Sequence, residues 1–316
     1  METAIKLEHV NKYFGAKQIL HDVTFETYTG EVFGFLGPNG AGKTTTIKMI
    51  VGLLKIDEGS ISICGHDVEK DFTSAMAEVG GIVENPECYK YMTGMQNLKQ
   101  YARMRKGVTE KDIEEAIELV GLKNRINEKV SKYSLGMRQR LGLAQALLHH
   151  PHVLILDEPT NGLDPAGIKH LRDILKNIAH NKNVCVLVSS HLMSEMELMC
   201  DRVGIIANGK VLDVKSMNDF LSAMDTEQTT YIYHVENCDG LKELLDTSFA
   251  DITYSSLGNQ SFSLTIPSAE HEKQIAPINQ FLFQHGVSII TVFAKEVTSL
   301  EDAFIELTKN GGSQIA

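Results

Sequence analysis

Several features that define other protein classes are missing from this sequence. No apolar stretch approaches the roughly 20 residues that a membrane-spanning helix needs, and the first residues lack the apolar core of a secretion signal. The net charge is −11 at pH 7, and this shortage of positive charge argues against nucleic acid as the main partner. We therefore expect a cytoplasmic chain that reaches the inner face of the cell membrane only through partner proteins.

Paired cysteines are also missing. The cysteines are scattered without a C-x-x-C pair, which is typical of reduced thiols rather than of a disulfide framework or a zinc site. They are Cys64, Cys88, Cys185, Cys200 and Cys238. The sequence therefore excludes the small disulfide-stabilised class and the common structural zinc domains.

The chain length and an uneven charge distribution predict two domains. The chain has 316 residues, of which 43% are hydrophobic and 22% are charged, as is ordinary for a folded protein of this size. Residues 226–316 carry 12 acidic and 4 basic side chains, a net charge of −8, whereas residues 1–225 carry 29 and 26. We expect one domain over residues 1–220 and a second over residues 226–316.

A phosphate-binding pattern, G-x-x-x-x-G-K-[ST], organises the first domain. It lies between an apolar segment at residues 31–36, typical of a buried parallel strand, and a segment with helical apolar spacing. Glycines allow successive N–H groups to point at one anion, and the following helix adds its positive end. In this pattern Lys43 reaches the phosphates and Thr44 ligates Mg²⁺. The predicted nucleotide-binding residues here are Gly37, Pro38, Asn39, Gly40, Ala41, Gly42, Lys43, Thr44 and Thr45.

Two further apolar segments end in side chains suited to phosphate chemistry. Residues 153–156 lead into Asp157 and Glu158, where the first carboxylate can hold Mg²⁺ and the second can accept a proton from an attacking water. Residues 184–190 lead into His191, a candidate contact for the γ-phosphate. A lone histidine is usually structural, but strands of an open parallel sheet present their chemistry at the same edge.

Residues 86–150 change to helical spacing and predict a helical insertion between two strands. Within it, Thr109 and Asp112 form a capping pattern, and a later helix begins near Ser134. With Gly136, Ser134 would make a second anion-binding helix end, although an ordinary N-cap explains the serine equally well. Residues 3–35 predict strands and turns, in which Ile5, Leu7 and His9 alternate with Lys6, Glu8 and Val10.

Together these motifs, over residues 1–220, resemble the ATP-binding subunit of an ATP-binding cassette (ABC) transporter. The resemblance assigns Gly37 to Thr45 to Walker A, Asp157 to Walker B, Glu158 to the catalytic carboxylate and His191 to the switch histidine. Phe14, or less readily Tyr13, matches the adenine-stacking aromatic, with an ordinary packed aromatic as the alternative. The remaining matches are Ser134, Gly136 and Met137 in the signature sequence, and Asn161 to Asp164 in the D-loop.

The sequence departs from the family pattern at two places. In the signature, Leu135 replaces a glycine and Met137 replaces a glutamine, a variation similar to that of drug and peptide exporters. Glu84 stands where the family usually has a glutamine, as in the bacitracin and lantibiotic self-protection exporters. A carboxylate there would add negative charge beside Asp157 and Glu158, so we count Glu84 among the catalytic residues and, with Thr44 and Asp157, among the Mg²⁺ ligands.

Residues 226–316 resemble the small C-terminal extension of the same exporter group. Residues 230–235, 261–266 and 287–293 predict strands, and residues 241–245 and 276–284 predict helices. Ser299 to Thr308 match an ending common in that group. The expected fold is therefore a P-loop α/β core with an antiparallel β subdomain and a helical insertion, followed by a small α+β domain.

The resemblance implies a function and a set of partners. Two ATP-binding subunits, expected to be identical, would clamp ATP and Mg²⁺ head to tail, with Ser134 and Gly136 of one facing the nucleotide of the other. Hydrolysis would energise export of an antimicrobial peptide or hydrophobic drug through separate permease subunits. These would dock in the groove between the core and the helical insertion, where Tyr89, Tyr91 and Met92 are candidate groove residues; the equal alternative is that these three residues form the core of the insertion. The alternatives are a soluble cassette ATPase acting on ribosomes or nucleic acid, and a non-catalytic nucleotide-gated scaffold.

Overall fold

The computed structural model describes residues 2–224, 228–236, 241, 244–245, 249, 252–258, 260–267 and 271–294. These residues form two compact units, which divide between Asn218 and Asp219. The segment from Ser299 to Thr308, which matched an exporter-group ending, lies outside the described residues.

The described residues of the two units form the following strands and helices. The strands are β1 Thr3–Phe14, β2 Lys17–Tyr28, β3 Val32–Leu36, β4 Glu58–Ile63, β5 His66–Asp67, β6 Val79–Ile82, β7 Val153–Leu156, β8 Cys185–Ser190, β9 Arg202–Ala207, β10 Lys210–Ser216, β11 Gln228–Val235, β12 Thr253–Gly258, β13 Ser261–Pro267 and β14 Ile289–Ala294. The helices are α1 Lys43–Ile50, α2 Phe72–Ala77, α3 Gly94–Met104, α4 Glu110–Leu119, α5 Leu135–Leu147, α6 Pro165–Lys182, α7 Met193–Met199, α8 Met217–Met224 and α9 His271–Gln284.

The central sheet of the first unit is six-stranded, in the order β10-β9-β3-β8-β7-β6. All neighbouring strands are parallel except β9 and β10, which are antiparallel. Every residue of β3, β7 and β8 is buried, as continuous apolar runs in a covered parallel sheet require. Because these strands run in one direction, their carboxyl ends meet at one edge of the sheet.

A second, antiparallel sheet in the order β2-β1-β4-β5 packs into the same core cluster. The alternation predicted for β1 fails at His9, which is exposed and has a φ of 53°, while Val10 is buried. The register of β1 against β2 shifts between Leu7 and Val10. A β-bulge therefore moves the inward-facing positions by one residue, which a strict period of two could not predict.

Three helices, α3, α4 and α5, lie between β6 and β7 in the chain and form the helical insertion. Thr93 and Thr109 begin α3 and α4 with capping boxes, the latter with Asp112 as predicted. Gly121 has a φ of 65° directly after the end of α4, the left-handed conformation that terminates many helices. None of the described helices is both long and apolar enough to span a membrane.

The second unit contains an antiparallel sheet in the order β12-β13-β11-β14, together with α9. Its core includes the stacked rings of Tyr233 and Phe262, whose centroids are 4.8 Å apart, together with Leu282 of α9. Strands predicted at residues 230–235, 261–266 and 287–293 all form, the last beginning at Ile289. Burial raises the pKa of Tyr233 far above its usual range, because the phenolate would lose its hydration.

Candidate functional site

The candidate site lies at the carboxyl edge of the central sheet, where three adjacent strands end. Strand β3 leads into the phosphate-binding loop, β7 leads into Asp157 and Glu158, and β8 leads into His191. The strand order β3-β8-β7 brings together residues that are far apart in the sequence. Because the three strands are parallel and adjacent, the candidate catalytic groups that follow them lie close together.

The backbone of the phosphate-binding loop depends on glycines in the left-handed region, Gly40 and Gly42. Gly42 has a φ of 113°, and a Cβ on it would lie 2.4 Å from Cδ2 of Leu20. Pro38, Asn39 and Gly40 are exposed, so the loop faces outward. Helix α1 begins at Lys43, directly after Gly42, and its free N–H groups and dipole face the loop.

Lys43 is buried at the centre of the loop and makes two kinds of contact. Its ammonium group donates to the carbonyl oxygen of Gly37 at 2.6 Å and lies 3.2 Å from a carboxylate oxygen of Glu158. Only 5% of its side chain is exposed. A buried ammonium needs such partners, and they aim its charge into the space between the loop and the end of β7.

Thr44 and Asp157 form a hard-oxygen pair beside the loop. The Thr44 hydroxyl donates to Oδ2 of Asp157 at 2.9 Å, and the hydroxyl of Ser189 donates to Oδ1 at 2.6 Å. Ser189 also accepts from the backbone N–H of Glu158 at 2.9 Å. These contacts fix the Asp157 carboxylate, which is almost fully buried, in one orientation.

Glu158 and His191 form the second pair at this edge. Nδ1 of His191 lies 2.8 Å from Oε2 of Glu158, whose other oxygen faces Lys43. Glu158 has a φ of 48°, a conformation that is uncommon outside glycine and asparagine. With this backbone conformation, the Glu158 carboxylate lies between Lys43 of the phosphate-binding loop and His191.

Glu84 lies near this edge, but its carboxylate does not join the pair made by Thr44 and Asp157. It lies 2.7 Å from the ammonium group of Lys48 on α1, and 62% of its side chain is exposed. The strand that precedes it, β6, ends at Ile82, two residues before Glu84.

The signature residues lie at the start of α5, far from the phosphate-binding loop in sequence; Ser134 is exposed, and Gly136 and Met137 are partly exposed. Ser134 is the N-cap, and its hydroxyl accepts from the N–H of Met137 at 3.3 Å. Asp164 caps α6 in the same way, accepting from Gly167 at 3.0 Å. A Cβ on Gly136 would lie 3.6 Å from Leu163, an ordinary contact, so the folded chain itself does not require glycine at this position.

Comparison with known proteins decides which family has this arrangement. The family model described as ABC transporter matches residues 20–161. An uncharacterized ABC transporter ATP-binding protein, YhcH, of Bacillus subtilis (strain 168) is 48% identical over 98% of this chain and 97% of its own length. The bacitracin transport ATP-binding protein BcrA of Bacillus licheniformis is 36% identical over 98% of this chain and 99% of its own length. The chain belongs to the ABC transporter family.

Other matches agree with this assignment. The lantibiotic transport ATP-binding protein SrtF of Streptococcus pyogenes is 38% identical over 66% of this chain and 89% of its own length. A solved ATP-binding subunit of an ABC transporter superposes with a TM-score of 0.63 at 30% identity, covering 71% of this chain and 94% of that one. The predicted resemblance to this family and the predicted fold class are confirmed, and so is ATP hydrolysis as the enzymatic activity.

A dimeric cassette solved in a post-hydrolysis state with ADP and Pi shares the fold. Its TM-score is 0.61 at 23% identity, over 67% of this chain and 98% of that one.

The aromatic residues that were predicted to contact ATP or the permease are exposed to solvent. Phe14 is 51% exposed at the end of β1, so it is not the packed aromatic that was the alternative to adenine stacking. The ammonium group of Lys12 lies 5.5 Å from the centre of its ring. Tyr89 and Tyr91 are also exposed, at 50% and 68%, which excludes the alternative that they form the core of the insertion.

Sequence reasoning missed two residues of the cassette site. Ser189 is fully buried between Asp157 and Glu158, and Lys48 pairs with Glu84. Ser189 could have been recognised from the sequence, because it is a polar residue at the end of an apolar strand. Nothing in the spacing pointed to Lys48, which reads as an ordinary surface position on α1.

Proposed function

We propose that the chain is the ATP-hydrolysing subunit of an exporter that removes an antimicrobial peptide or hydrophobic drug through separate permease subunits. The observation that carries this proposal is the convergence of Lys43, Thr44, Asp157, Glu158 and His191 at one sheet edge. The cargo class is supported by relatives named for bacitracin and lantibiotic transport.

The residues at the sheet edge divide the chemistry of hydrolysis. Lys43 neutralises charge on the phosphates, and the loop N–H groups and the start of α1 orient them. Glu158 accepts a proton from the attacking water. His191, 2.8 Å from Glu158, holds that carboxylate in place and faces the γ-phosphate.

The donor set beside the loop fits Mg²⁺. A hydroxyl and a carboxylate, from Thr44 and Asp157, are hard oxygen ligands of the kind Mg²⁺ prefers, and it normally takes only one or two of them from protein. Ser189 supports this pair by holding the other carboxylate oxygen. When bound, Mg²⁺ would neutralise charge on the β- and γ-phosphates.

The freedom at Gly136 supports a head-to-tail dimer of this chain. Neither its φ nor the packing around it demands glycine, yet glycine is the residue that permits the closest approach of a backbone to a ligand. The start of α5 also offers N–H groups to an anion. In the proposed dimer this helix end of one copy contacts the γ-phosphate held by the loop of the other.

A cavity between the sheet and the helical insertion is the proposed docking site for a permease. It has a volume of about 250 Å³ and lies between β6 and helices α3 and α5. Its lining includes apolar residues, among them Val83, Pro86 and Met104, which is 70% exposed, and concave, partly apolar clefts are common binding sites. The cavity lies in the predicted groove between the core and the insertion, but Tyr89, Tyr91 and Met92, the candidate groove residues, do not line it. Docking there would hold the chain at the inner membrane face.

Affinity purification from solubilised membranes tests the proposal. The Glu158→Gln variant, loaded with ATP, should retain an integral membrane partner, and ATP hydrolysis by the purified wild-type complex should rise when bacitracin or a lantibiotic is added. Co-purification of ribosomes or nucleic acid without a membrane protein would contradict the transport function and favour the soluble cassette ATPase.

A further inference from the structure

An ion pair joins the phosphate-binding helix to the segment that carries the glutamate departure. The ammonium group of Lys48, on α1, lies 2.7 Å from Oε1 of Glu84. The two residues are 36 positions apart in the sequence, so the contact exists only in the folded chain. Glu84 has a φ of 66°, a backbone conformation that costs free energy outside glycine and needs support from its surroundings.

The pair lies on the same face of α1 as the proposed metal ligand Thr44. Lys48 follows Thr44 by four residues, and residues at this spacing lie one above the other on a helix. Thr44 contacts Asp157, and the backbone N–H of Asp157 donates to the carbonyl of Ile82 at 3.0 Å, two residues before Glu84. One helix face therefore contacts the ends of both β7 and β6.

Exposure to solvent distinguishes this pair from the pair made by Lys43 and Glu158. In the latter, the two side chains are 5% and 18% exposed; for Lys48 and Glu84 the values are 32% and 62%. A partly exposed ion pair is weak, because water screens the charges and two long side chains lose freedom. The pair made by Lys48 and Glu84 is therefore one that can open and close, whereas a buried pair cannot open without a large cost.

We propose that Lys48 is a positioning residue for Glu84. It neutralises the carboxylate that replaces the family glutamine and holds it on α1, so that Glu84 reaches the metal side of the nucleotide site only by leaving Lys48. The inference rests on the proposed nucleotide and Mg²⁺ site. It gives the exporter chain a restraint that a glutamine at position 84 would not supply, since a neutral amide would not form an ion pair.

Equilibrium binding of a non-hydrolysable ATP analogue, measured over a series of Mg²⁺ concentrations, tests the inference without relying on turnover. Lys48→Met frees a carboxylate beside the site, so the Mg²⁺ concentration for half-maximal binding should fall two- to five-fold. The same substitution in the Glu84→Gln background should shift it by less than 1.5-fold, because the carboxylate it releases is no longer there. Lys48→Arg should behave as the wild type.

Two comparisons make the outcome decisive. Lys111→Met removes one partner of another exposed ion pair, with Glu115 at 3.4 Å, and should leave the Mg²⁺ midpoint unchanged. An equal shift in the presence and absence of Glu84 would show that Lys48 acts only as a distant positive charge and would overturn the inference. Unchanged midpoints in all variants that bind the analogue would overturn it alone, whereas failure of every protein to bind the analogue would contradict the proposed function as well.

Discussion

The two halves of the cassette site are built differently. At the sheet edge, Lys43, Thr44, Asp157 and Glu158 are linked to one another or to Ser189 by contacts within this chain. In the other half, Ser134 at the start of α5 and Asp164 at the start of α6 make the local contacts of N-caps within the described part of the chain. The glycines differ as well, because Gly42 is required by its φ and by Leu20, whereas Gly136 has room for a side chain.

The half at the sheet edge is complete in a single chain, whereas the half at the start of α5 is not. The sheet edge is a preorganised network, in which each polar group holds its neighbour. The start of α5 offers free N–H groups and Gly136, which packing within the chain does not require. Both features would serve to bind a phosphate held by a second copy. The difference between the halves therefore supports a site shared between two copies. Substitutions that affect one half alone test this proposal.

The largest effect is expected for Glu158→Gln. ATP hydrolysis should fall by about 10²- to 10⁴-fold, because the water loses its proton acceptor, while ATP binding persists. Hydrolysis assays and gel filtration with ATP measure the two quantities, and the variant should elute as a dimer. A variant that binds ATP but stays monomeric would contradict the shared site.

Gly136→Ala should separate folding from activity in the other half. The added methyl group meets only an ordinary contact with Leu163, and alanine is better than glycine within a helix by roughly 0.5–1 kcal/mol. Thermal stability should therefore hold or rise, while hydrolysis falls at least tenfold because the approach of the partner's phosphate is blocked. Full hydrolysis by this variant would remove the argument for a close approach at α5.

Ser189→Ala should weaken the network at the sheet edge. It leaves one oxygen of Asp157 and the N–H of Glu158 without a partner, at a cost of about 1–3 kcal/mol for a buried group. We expect a lower melting temperature and slower hydrolysis by about tenfold, which corresponds to about 1.4 kcal/mol in the barrier. Ser190→Ala is the matched control, since Ser190 is equally buried but contacts Glu195; equal loss in both would point to general destabilisation.

The smallest effect is expected for Thr109→Ala, in the cap of α4. It removes a capping box and should lower the free energy of unfolding by about 1 kcal/mol. Hydrolysis at a temperature well below unfolding should not change, because α4 contributes no residue to the sheet edge. Denaturant titration and an ATPase assay measure both, and a large loss of hydrolysis would extend the functional site into the insertion.

Local patterns carried most of the fold. The phosphate-binding loop, the strands that precede Asp157 and His191, and the caps at Thr109 and Ser134 depend on neighbours within a few residues, so the sequence predicted them. The predicted position of His9 was wrong, because the bulge that exposes it depends on the pairing of β1 with β2. The strand order, which places β8 between β3 and β7, was also beyond local reasoning.

Residue type and spacing are local properties, and they were enough to identify the residues capable of chemistry and their positions at the ends of apolar strands. The partners of these residues depend on long-range packing: Asp157 contacts Ser189, and Glu84 contacts Lys48 rather than occupying a metal-facing position. Thr44 and Asp157 are 113 positions apart, and no local preference specifies such a contact. It is set by the strand order and by the packing of α1 against the sheet, which are properties of the whole chain.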